Sequence, residues 1–281
     1  MRLTIFFAFL LGFAAPVAAE APSHLKSLEQ QLRVLESANP GNVGIAALDL
    51  SSGEMVSVRG DDPFPMASVV KVAIAAQYLA QVENGRRTLD QQIGGLPARR
   101  HLEAMIIKSN NLSTDIILRD LGGPKAVQEW LSDNQIRGVR VDRNIARLLA
   151  DRRDLSDRRD SATPKAMVSL LQRLDSGTLI KPVSRSYLLD LMARCMTGKN
   201  RMRALLPSGT RVEHKTGTLN GLTTDVGFVT LPDGRRLAIA LFARHGTNRP
   251  GVLAAAARKI YDGFINVFAL PFGNTAATAS R

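Results

Sequence analysis

Apolar residues recur along the chain with two different spacings, and their order predicts the architecture. Apolar residues every three or four positions indicate amphipathic helices, and short apolar runs bounded by turn residues indicate strands. In the first third of the chain these patterns predict a helix at 25–35, strands at 43–50 and 54–59, and a long helix at 69–82. Helical patterns follow at 102–121, 124–134, 164–174 and 185–196, then strands at 211–214, 224–231 and 236–243, and a last helix at 252–268.

The predicted strands lie towards both ends of the chain, with a block of helices between them. A sheet assembled from both ends, with short turns between its later strands, would be antiparallel and flanked by helices. The predicted fold class is therefore α/β in the broad sense (α+β), with an inserted all-helical subdomain. We expect one domain over 20–281, with a sheet subdomain at 24–60 and 199–270 and a helical subdomain at 61–198.

The first 19 residues have the pattern of a cleaved secretory signal. Arg2 precedes an apolar run that is too short to span a bilayer, and Val17, Ala18 and Ala19 supply small residues for cleavage. We therefore expect residues 1–19 to be removed and the mature protein to be periplasmic or secreted, without a stable membrane anchor. Cys195 is the single cysteine, so the chain forms no intrachain disulfide.

Composition and charge narrow the class of protein further. A length of 281 residues with 45% hydrophobic and 22% charged residues is ordinary for a globular protein. The formal net charge is +12, which raises the question of a nucleic-acid partner. The most basic stretch, 137–160, alternates arginines with aspartates and contains no aromatic residue for base stacking. It predicts a surface loop with internal salt bridges, and we expect no nucleic-acid partner.

Two common kinds of site are excluded by the motifs that the sequence lacks. The four histidines lie far apart and form neither H-x-H nor H-E-x-x-H, which excludes a two-histidine helical zinc site. No G-x-x-x-x-G-K-S/T is present, which excludes a P-loop for phosphate. We expect no cofactor, no bound metal and a monomer.

Ser68-Val69-Val70-Lys71 opens the long predicted helix. The spacing i, i+3 places Ser68 and Lys71 on one helix face. A serine hydroxyl is a weak nucleophile until a base removes its proton, and a lysine that burial and nearby cations keep neutral can act as that base. By itself, S-x-x-K is a weak signal, and an ordinary helix start with a surface lysine explains it better.

Two further short motifs follow in the chain. Ser109-Asn110-Asn111 falls in a helical pattern, where the serine could relay a proton and Asn111 could hold a substrate carbonyl. Lys215-Thr216-Gly217 is predicted at the end of a strand, where the lysine could bind a carboxylate and the glycine would let the backbone approach a ligand closely. Polar helix surface and an ordinary strand end explain these two motifs equally well when each is taken alone.

Taken together, S-x-x-K, S-x-N and K-T-G in this order resemble the serine penicillin-recognising enzymes. The surrounding sequence is similar to the class A serine β-lactamases from about Leu25 to Phe268. The similar segments are 64–68, 118–123, 159–160, 163–164, 196–198 and 215–218. The resemblance implies the β-lactamase/transpeptidase-like fold.

The resemblance also implies three catalytic residues. Ser68 would be the nucleophile that forms an acyl-enzyme, and Lys71 would help to activate it. Ser109 would pass a proton to the β-lactam nitrogen.

Four substrate-binding residues are implied in the same way. Asn111 would hold the acylamide side chain, and Lys215 and Thr216 would engage the substrate carboxylate. The backbone N–H groups of Thr218 and Ser68 would form the oxyanion hole.

The chain departs from the family in an Ω-shaped loop. The family motif R-x-E-x-x-L-N carries a glutamate that positions the deacylating water. In the matching stretch, 143–149, Ile145 stands at the glutamate position and Leu149 at the asparagine position. An apolar side chain cannot accept a proton from water.

A second register of this loop stays open, because the loop is slightly longer than is usual in the family. An ion pair between Arg143 and Asp160 would close its neck. Counted back from Asp160, the register shifts, and Asp151 or Asp154 could then reach the site. The stretch 94–101 is also short, without the family's extra helix and aromatic wall, so we expect a more open pocket on that side.

Three functions are compatible with these residues. The leading hypothesis is a serine β-lactamase that hydrolyses penicillin-type β-lactams through a Ser68 acyl-enzyme. The first alternative is a penicillin-binding protein or D,D-peptidase-like acyltransferase, which the missing glutamate and the open wall favour. The second is a non-catalytic sensor of peptidoglycan or β-lactams, against which the intact motifs argue. The expected ligand is accordingly a small β-lactam or a peptidoglycan-derived peptide.

Overall fold

A computed structural model describes residues 25–151 and 154–266. The helices are α1 Lys26–Ser37, α2 Lys71–Glu83, α3 Ala98–Ile107, α4 Asn111–Asp120, α5 Pro124–Asp133, α6 Ile145–Ala150, α7 Pro164–Asp175, α8 Pro182–Ala193 and α9 Arg249–Asn266. The strands are β1 Asn42–Asp49, β2 Met55–Val58, β3 Phe64–Pro65, β4 Gln92–Ile93, β5 Leu96–Pro97, β6 Ser161–Ala162, β7 Val212–Leu219, β8 Leu222–Thr230 and β9 Arg236–Arg244. The predicted secretory signal, 1–19, lies outside the described residues.

Five strands from the two ends of this chain form one antiparallel sheet. Their order is β2-β1-β9-β8-β7, and each neighbouring pair is antiparallel. The predicted mixed helix and antiparallel-sheet fold is confirmed. β7, which carries the K-T-G motif, is an edge strand of this sheet.

Helices cover both faces of the sheet, which explains why its strands are apolar without strict alternation. On β1, Val43 and Ile45 pack into a cluster with α1 and α9. Ala46 and Leu48 point to the opposite face and join the cluster that contains α2 and α7. A strand buried on both faces has no solvent side on which polar residues would alternate.

The helical block is built around α2. Nine consecutive residues of this helix, from Lys71 to Leu79, are buried. A helix that is enclosed on every side is apolar all round, so its one buried cation at Lys71 is exceptional. Helices α3, α4, α5 and α8 pack around α2.

The prediction of one helix over 102–121 is wrong, because the chain breaks between α3 and α4. Ser109 lies in the break with a φ of 56°, in the left-handed region that few non-glycine residues adopt. Asn110 then caps α4, since its side-chain oxygen accepts the N–H of Ser113 at 2.8 Å. The apolar spacing had predicted Ser109 on a helix, and the structure places it in the break between two helices.

The K-T-G motif is likewise placed differently from the prediction. β7 continues to Leu219, so Lys215, Thr216 and Gly217 lie inside the strand and not at its end. The strand was predicted too short because Lys215 and Thr216 are polar, although both are buried in the fold. Within the described ranges, no helix is long and apolar enough to cross a membrane.

A buried arginine closes the neck of the Ω-shaped loop, residues 143–160. The predicted ion pair is present, since Arg143 Nε donates to Asp160 Oδ2 at 2.6 Å. The same guanidinium also reaches Asp151 at 2.7 Å and Asp157 at 3.3 Å. Its side chain is only 6% exposed. Three carboxylates from different parts of the loop thus converge on one cation.

We predict that Arg143→Ala destabilises the fold strongly. The substitution leaves the buried Asp160 carboxylate without its cation, and breaking a buried pair in this way typically costs about 3–5 kcal/mol. Arg159→Ala is the matched control, because it removes the same charge from an exposed ion pair with Asp157. Urea unfolding should show a large loss for Arg143→Ala and almost none for Arg159→Ala. Equal losses would contradict a special role for the buried cation.

Candidate active site

Ser68 lies on a tight turn directly before α2. A 3₁₀ helix, Ala67–Val70, runs without interruption into α2, so Ser68 and Lys71 stand about one turn apart. Ala67 has a φ of 50°, a strained conformation for a residue with a Cβ. A residue of the Ω-shaped loop holds the backbone next to Ala67, because the Asp160 carbonyl oxygen accepts the Met66 N–H at 2.9 Å. Ser68 remains partly exposed while both its neighbours are buried.

Lys71 is fully buried, and its ammonium group is surrounded by oxygen atoms. Nζ donates to the Ser109 carbonyl oxygen and to Asn111 Oδ1, both at 2.8 Å, and to Ser109 Oγ at 3.3 Å. Burial lowers the pKa of Lys71 to about 7, and the positive charge of Lys215 contributes to this shift. The negative charge of Asp115 acts in the opposite direction. Lys71 can therefore exchange a proton near neutral pH.

Ser109 joins the two lysines of the site. Its Oγ accepts from Lys71 and also from Lys215 Nζ, at 2.9 Å. A hydroxyl that accepts two hydrogen bonds still has its own proton to donate. The left-handed conformation of Ser109 turns both its carbonyl and its hydroxyl towards Lys71. The break between α3 and α4 is thus what gives the site its bridging hydroxyl.

Lys215 reaches this hydroxyl from the edge strand β7. It is fully buried and also donates to the Thr216 carbonyl oxygen at 2.9 Å. Burial lowers the pKa of Lys215 to about 8, while Cys195 and Asp225 act to raise it. Two buried lysines around one serine make the site electropositive, which suits an anionic ligand.

β7 lies against the Ser68 turn because Gly217 has no side chain. A Cβ at Gly217 would lie 2.9 Å from Ser68 N, 2.7 Å from the Met66 carbonyl oxygen and 2.4 Å from Thr224 Oγ1. Only glycine allows this approach. Gly217 thus lets the strand reach the Ser68 turn, and the close approach of its backbone to a ligand stays a prediction.

The hydroxyls of Thr216 and Thr218 are each held by a neighbour. Thr216 Oγ1 lies 2.5 Å from Thr197 Oγ1. Thr218 Oγ1 accepts from Arg201 Nη2 at 2.6 Å. Asn111, the first residue of α4, is positioned by its hydrogen bond from Lys71.

Arg201 is a site residue that the sequence analysis missed. Its guanidinium also donates to the carbonyl oxygens of Gly217 at 2.8 Å and Thr224 at 3.0 Å, and the residue is only 9% exposed. Arg201 lies between α8 and β7 in a stretch without helical or strand periodicity. No local pattern separates it from the other arginines, and only its burial behind β7 shows its importance.

Ile145 and Leu149, the two apolar residues that the sequence analysis singled out in the Ω-shaped loop, lie in different surroundings. Ile145 is buried in the core cluster with a relative exposure of 4%, and Leu149 is 55% exposed. Further along the loop, Leu155 packs on Ala67, directly beside Ser68. The described part of the loop therefore meets the Ser68 turn through this apolar contact and through the Asp160 carbonyl oxygen that accepts the Met66 N–H.

Both candidate aspartates of the second register are engaged within the loop. Asp151 accepts from Arg143, and Asp154 accepts from the N–H of Ser156 at 2.8 Å and from its hydroxyl. These hydrogen bonds lower the pKa of each carboxyl, which makes each a weaker base. Among the described residues, neither aspartate is hydrogen-bonded to Ser68 or Lys71.

Comparison with known proteins agrees with this geometry. The model of the β-lactamase enzyme family matches residues 27–264. The extended-spectrum β-lactamase PER-1 of Pseudomonas aeruginosa is 26% identical, over 83% of this chain and 86% of its own length. The β-lactamase L2 of Stenotrophomonas maltophilia is 32% identical, over 73% of this chain and 74% of its own.

Solved structures show the same similarity. The class A β-lactamase of the last common ancestor of Gram-negative bacteria superposes with a TM-score of 0.80 at 32% identity, covering 85% of this chain and 99% of its own. A β-lactamase from Chitinophaga pinensis gives a TM-score of 0.80 at 29% identity, covering 85% of this chain and all of its own. The fold, the ordered motifs and these matches lead to one assignment: the chain belongs to the class A serine β-lactamase family.

Proposed function

We propose that this protein is a serine β-lactamase that opens the ring of penicillin-type antibiotics through an acyl-enzyme on Ser68. The observation that carries the proposal is the pair of buried lysines, Lys71 and Lys215, which both donate a hydrogen bond to the Ser109 hydroxyl. Lys71 lies about one helical turn from Ser68. Family membership supports the same conclusion.

In the acylation step, neutral Lys71 takes the proton of the Ser68 hydroxyl. Ser68 Oγ attacks the β-lactam carbonyl carbon, and the charge on the carbonyl oxygen is stabilised by the N–H groups of Ser68 and Thr218. The ring C–N bond breaks as Ser109 gives its proton to the leaving nitrogen, and Lys71 returns a proton to Ser109. The products are an ester on Ser68 and an opened ring.

Substrate binding uses the positive side of the site. Lys215 and Thr216 would hold the carboxylate that penicillins carry next to the ring nitrogen. Asn111 would hold the acylamide side chain through its amide. The burial of Lys215 strengthens its attraction for an anion, because little water screens it.

Deacylation is where we expect this protein to differ from its family. Ile145 and Leu149 offer no oxygen to a hydrolytic water, and Asp151 and Asp154 are occupied by hydrogen bonds within the loop. The acyl-enzyme should therefore form faster than it hydrolyses. This observation favours the second candidate function, a penicillin-binding protein or D,D-peptidase-like acyltransferase.

We infer the cellular setting from residues 1–19 alone. A cleaved signal there would place the mature protein in the periplasm or outside the cell, where β-lactams reach it before they act. Hydrolysis in that compartment would contribute to antibiotic resistance.

Time-resolved intact mass measurement with benzylpenicillin tests the nucleophile. We predict that the wild-type protein gains the mass of one penicillin, and that Ser68→Ala gains none. Ser132→Ala is the matched control, since this serine lies on the exposed surface of α5. An adduct on Ser68→Ala would exclude the proposed nucleophile. A wild-type protein that neither gains an adduct nor consumes penicillin would contradict the proposal and favour the sensor alternative.

The pKa of Lys71 predicts how acylation depends on pH. A group with a pKa of about 7 is mostly neutral above pH 7, so the acylation rate should rise with a midpoint near that pH. Stopped-flow measurement of the first turnover gives this rate directly. Lys71→Ala should slow it severely, and Lys125→Ala, which removes an exposed lysine, should not. A wild-type rate that still rises steeply at pH 9 would contradict a neutral Lys71.

Restoring the family residues in the loop tests the account of deacylation. Ile145→Glu combined with Leu149→Asn should speed loss of the adduct, since a general base typically contributes about 10²–10⁴-fold. Ile145→Gln with Leu149→Asn is the matched control, because it supplies the same shape without a base. Asp151→Asn and Asp154→Asn test the second register. The account is wrong if the wild type turns over without accumulating an adduct and neither aspartate substitution slows it.

A further inference from the structure

A buried histidine on α3 joins two elements next to the Ser109 turn. His101 is only 3% exposed. Its Nε2 lies 2.8 Å from the carbonyl oxygen of Ile93 on β4, and its Nδ1 lies 3.2 Å from Ser113 Oγ on α4. A carbonyl oxygen only accepts, so Nε2 carries the proton, and Nδ1 of the neutral ring accepts from the Ser113 hydroxyl. The ring thus connects β4 to the first turn of α4.

The hairpin of β4 and β5 also packs directly on α4. A Cβ on Gly94, in the turn of this hairpin, would lie 2.9 Å from Ile116 Cδ1. The hairpin belongs to the stretch that is shorter here than in the family. His101 therefore binds α4 and the shortened stretch together from the side of α3.

His101 occupies a position that an apolar residue could fill by volume alone. It is one of five buried residues that form the inner face of α3: Ala98, His101, Leu102, Met105 and Ile106. A polar ring in such a place is costly unless its hydrogen bonds are made. Both are made here, which indicates that the ring contributes through its two nitrogens and not only by filling space.

Ser113 extends this connection to the break between α3 and α4. Its N–H donates to Asn110 Oδ1 at 2.8 Å, and the Asn110 carbonyl oxygen accepts the Thr114 hydroxyl at 2.6 Å. On the other side, Asn110 N–H donates to the Ala104 carbonyl oxygen at 3.0 Å. Ser109 directly precedes Asn110, and its left-handed backbone persists only where the surrounding structure holds it. The hydrogen bonds at Asn110 therefore define where the Ser109 hydroxyl lies.

We propose that His101 is a positioning residue for proton transfer, because it holds Ser113 and, through it, the turn at Ser109. With the ring in place, the Ser109 hydroxyl stays within hydrogen-bonding distance of both lysines of the site. The proposal rests on the proposed function, since it assumes that Ser109 delivers the proton to the β-lactam nitrogen. It adds a residue that acts on this step indirectly, from the inner face of α3.

Two substitutions separate the two hydrogen bonds of the ring. His101→Gln places an amide N–H near the position of Nε2, so it keeps the bond to Ile93 and loses the bond to Ser113. His101→Asn places an oxygen near the position of Nδ1, so it keeps the bond to Ser113 and loses the bond to Ile93. In stopped-flow measurement of the first turnover with benzylpenicillin, His101→Gln should acylate about ten- to a hundredfold more slowly, because small displacements of catalytic groups have effects of that size. His101→Asn should remain close to the wild-type rate.

Gln77→Leu is the matched control for the loss of a buried hydrogen bond. Gln77 lies on α2, and its side-chain amide donates to the Ala126 carbonyl oxygen on α5 at 2.9 Å. Urea unfolding should show comparable losses of stability for Gln77→Leu and His101→Gln. Only His101→Gln should acylate slowly, because the bond lost in Gln77→Leu does not involve the Ser109 turn.

A double-mutant cycle shows whether His101 acts through Ser109. In a Ser109→Ala background the hydroxyl is absent, so His101→Gln should slow acylation no further. A second loss of the same size would overturn the proposal. It would also be overturned by a wild-type rate for His101→Gln, or by an equal loss for His101→Asn.

The remaining outcomes keep this proposal distinct from the proposed function. If His101→Gln does not fold, Ser113→Ala removes the same hydrogen bond from the other side and takes its place in each measurement. A wild-type protein that benzylpenicillin never acylates would overturn the proposed function, and this proposal with it. A wild-type protein that is acylated while His101→Gln reacts equally fast would overturn the role of His101 alone.

Discussion

The enclosure of Lys71 is the constraint on which the rest of the site depends. A charged ammonium is costly to bury, so its surroundings must either pair it or let it lose its proton. Around Lys71 both effects are present. Three hydrogen bonds to oxygens of Ser109 and Asn111 stabilise the charged ammonium. Burial and the nearby charge of Lys215 favour the neutral amine. A group balanced between two protonation states is what a general base at neutral pH requires.

This balance requires separate elements to meet at one point. α2 must be enclosed on all sides so that water does not reach Lys71. The helical block must break at Ser109, because a continuous helix would not turn the carbonyl and hydroxyl of that residue towards the lysine. β7 must approach the Ser68 turn, which only a glycine at 217 allows. Together these features place Lys71, Ser109 and Lys215 in one hydrogen-bonded network beside Ser68.

The sequence predicted most of the strands and helices, and it missed features that depend on contacts between distant parts of the chain. Periodicity found the sheet strands and the long helix because those patterns are local. It joined α3 to α4, because apolar spacing continues across Ser109 while the cap at Asn110 depends on one side chain. It missed Arg201, because an arginine with buried partners looks like a surface residue until the partners are known. The ordered motifs pointed to the family, which the comparison confirms, while the roles they assign to individual residues stay predictions.

The central claim is that Lys71 exchanges its proton near neutral pH, and NMR titration of its side chain tests it most directly. Protein labelled with ¹⁵N-lysine, with the Nζ signal assigned by its loss in Lys71→Arg, would give the protonation state at each pH. Our account predicts a titration midpoint at about 7, well below the 10.5 of an ordinary lysine. A Lys71 signal that stays in its charged form up to pH 10 would contradict the account.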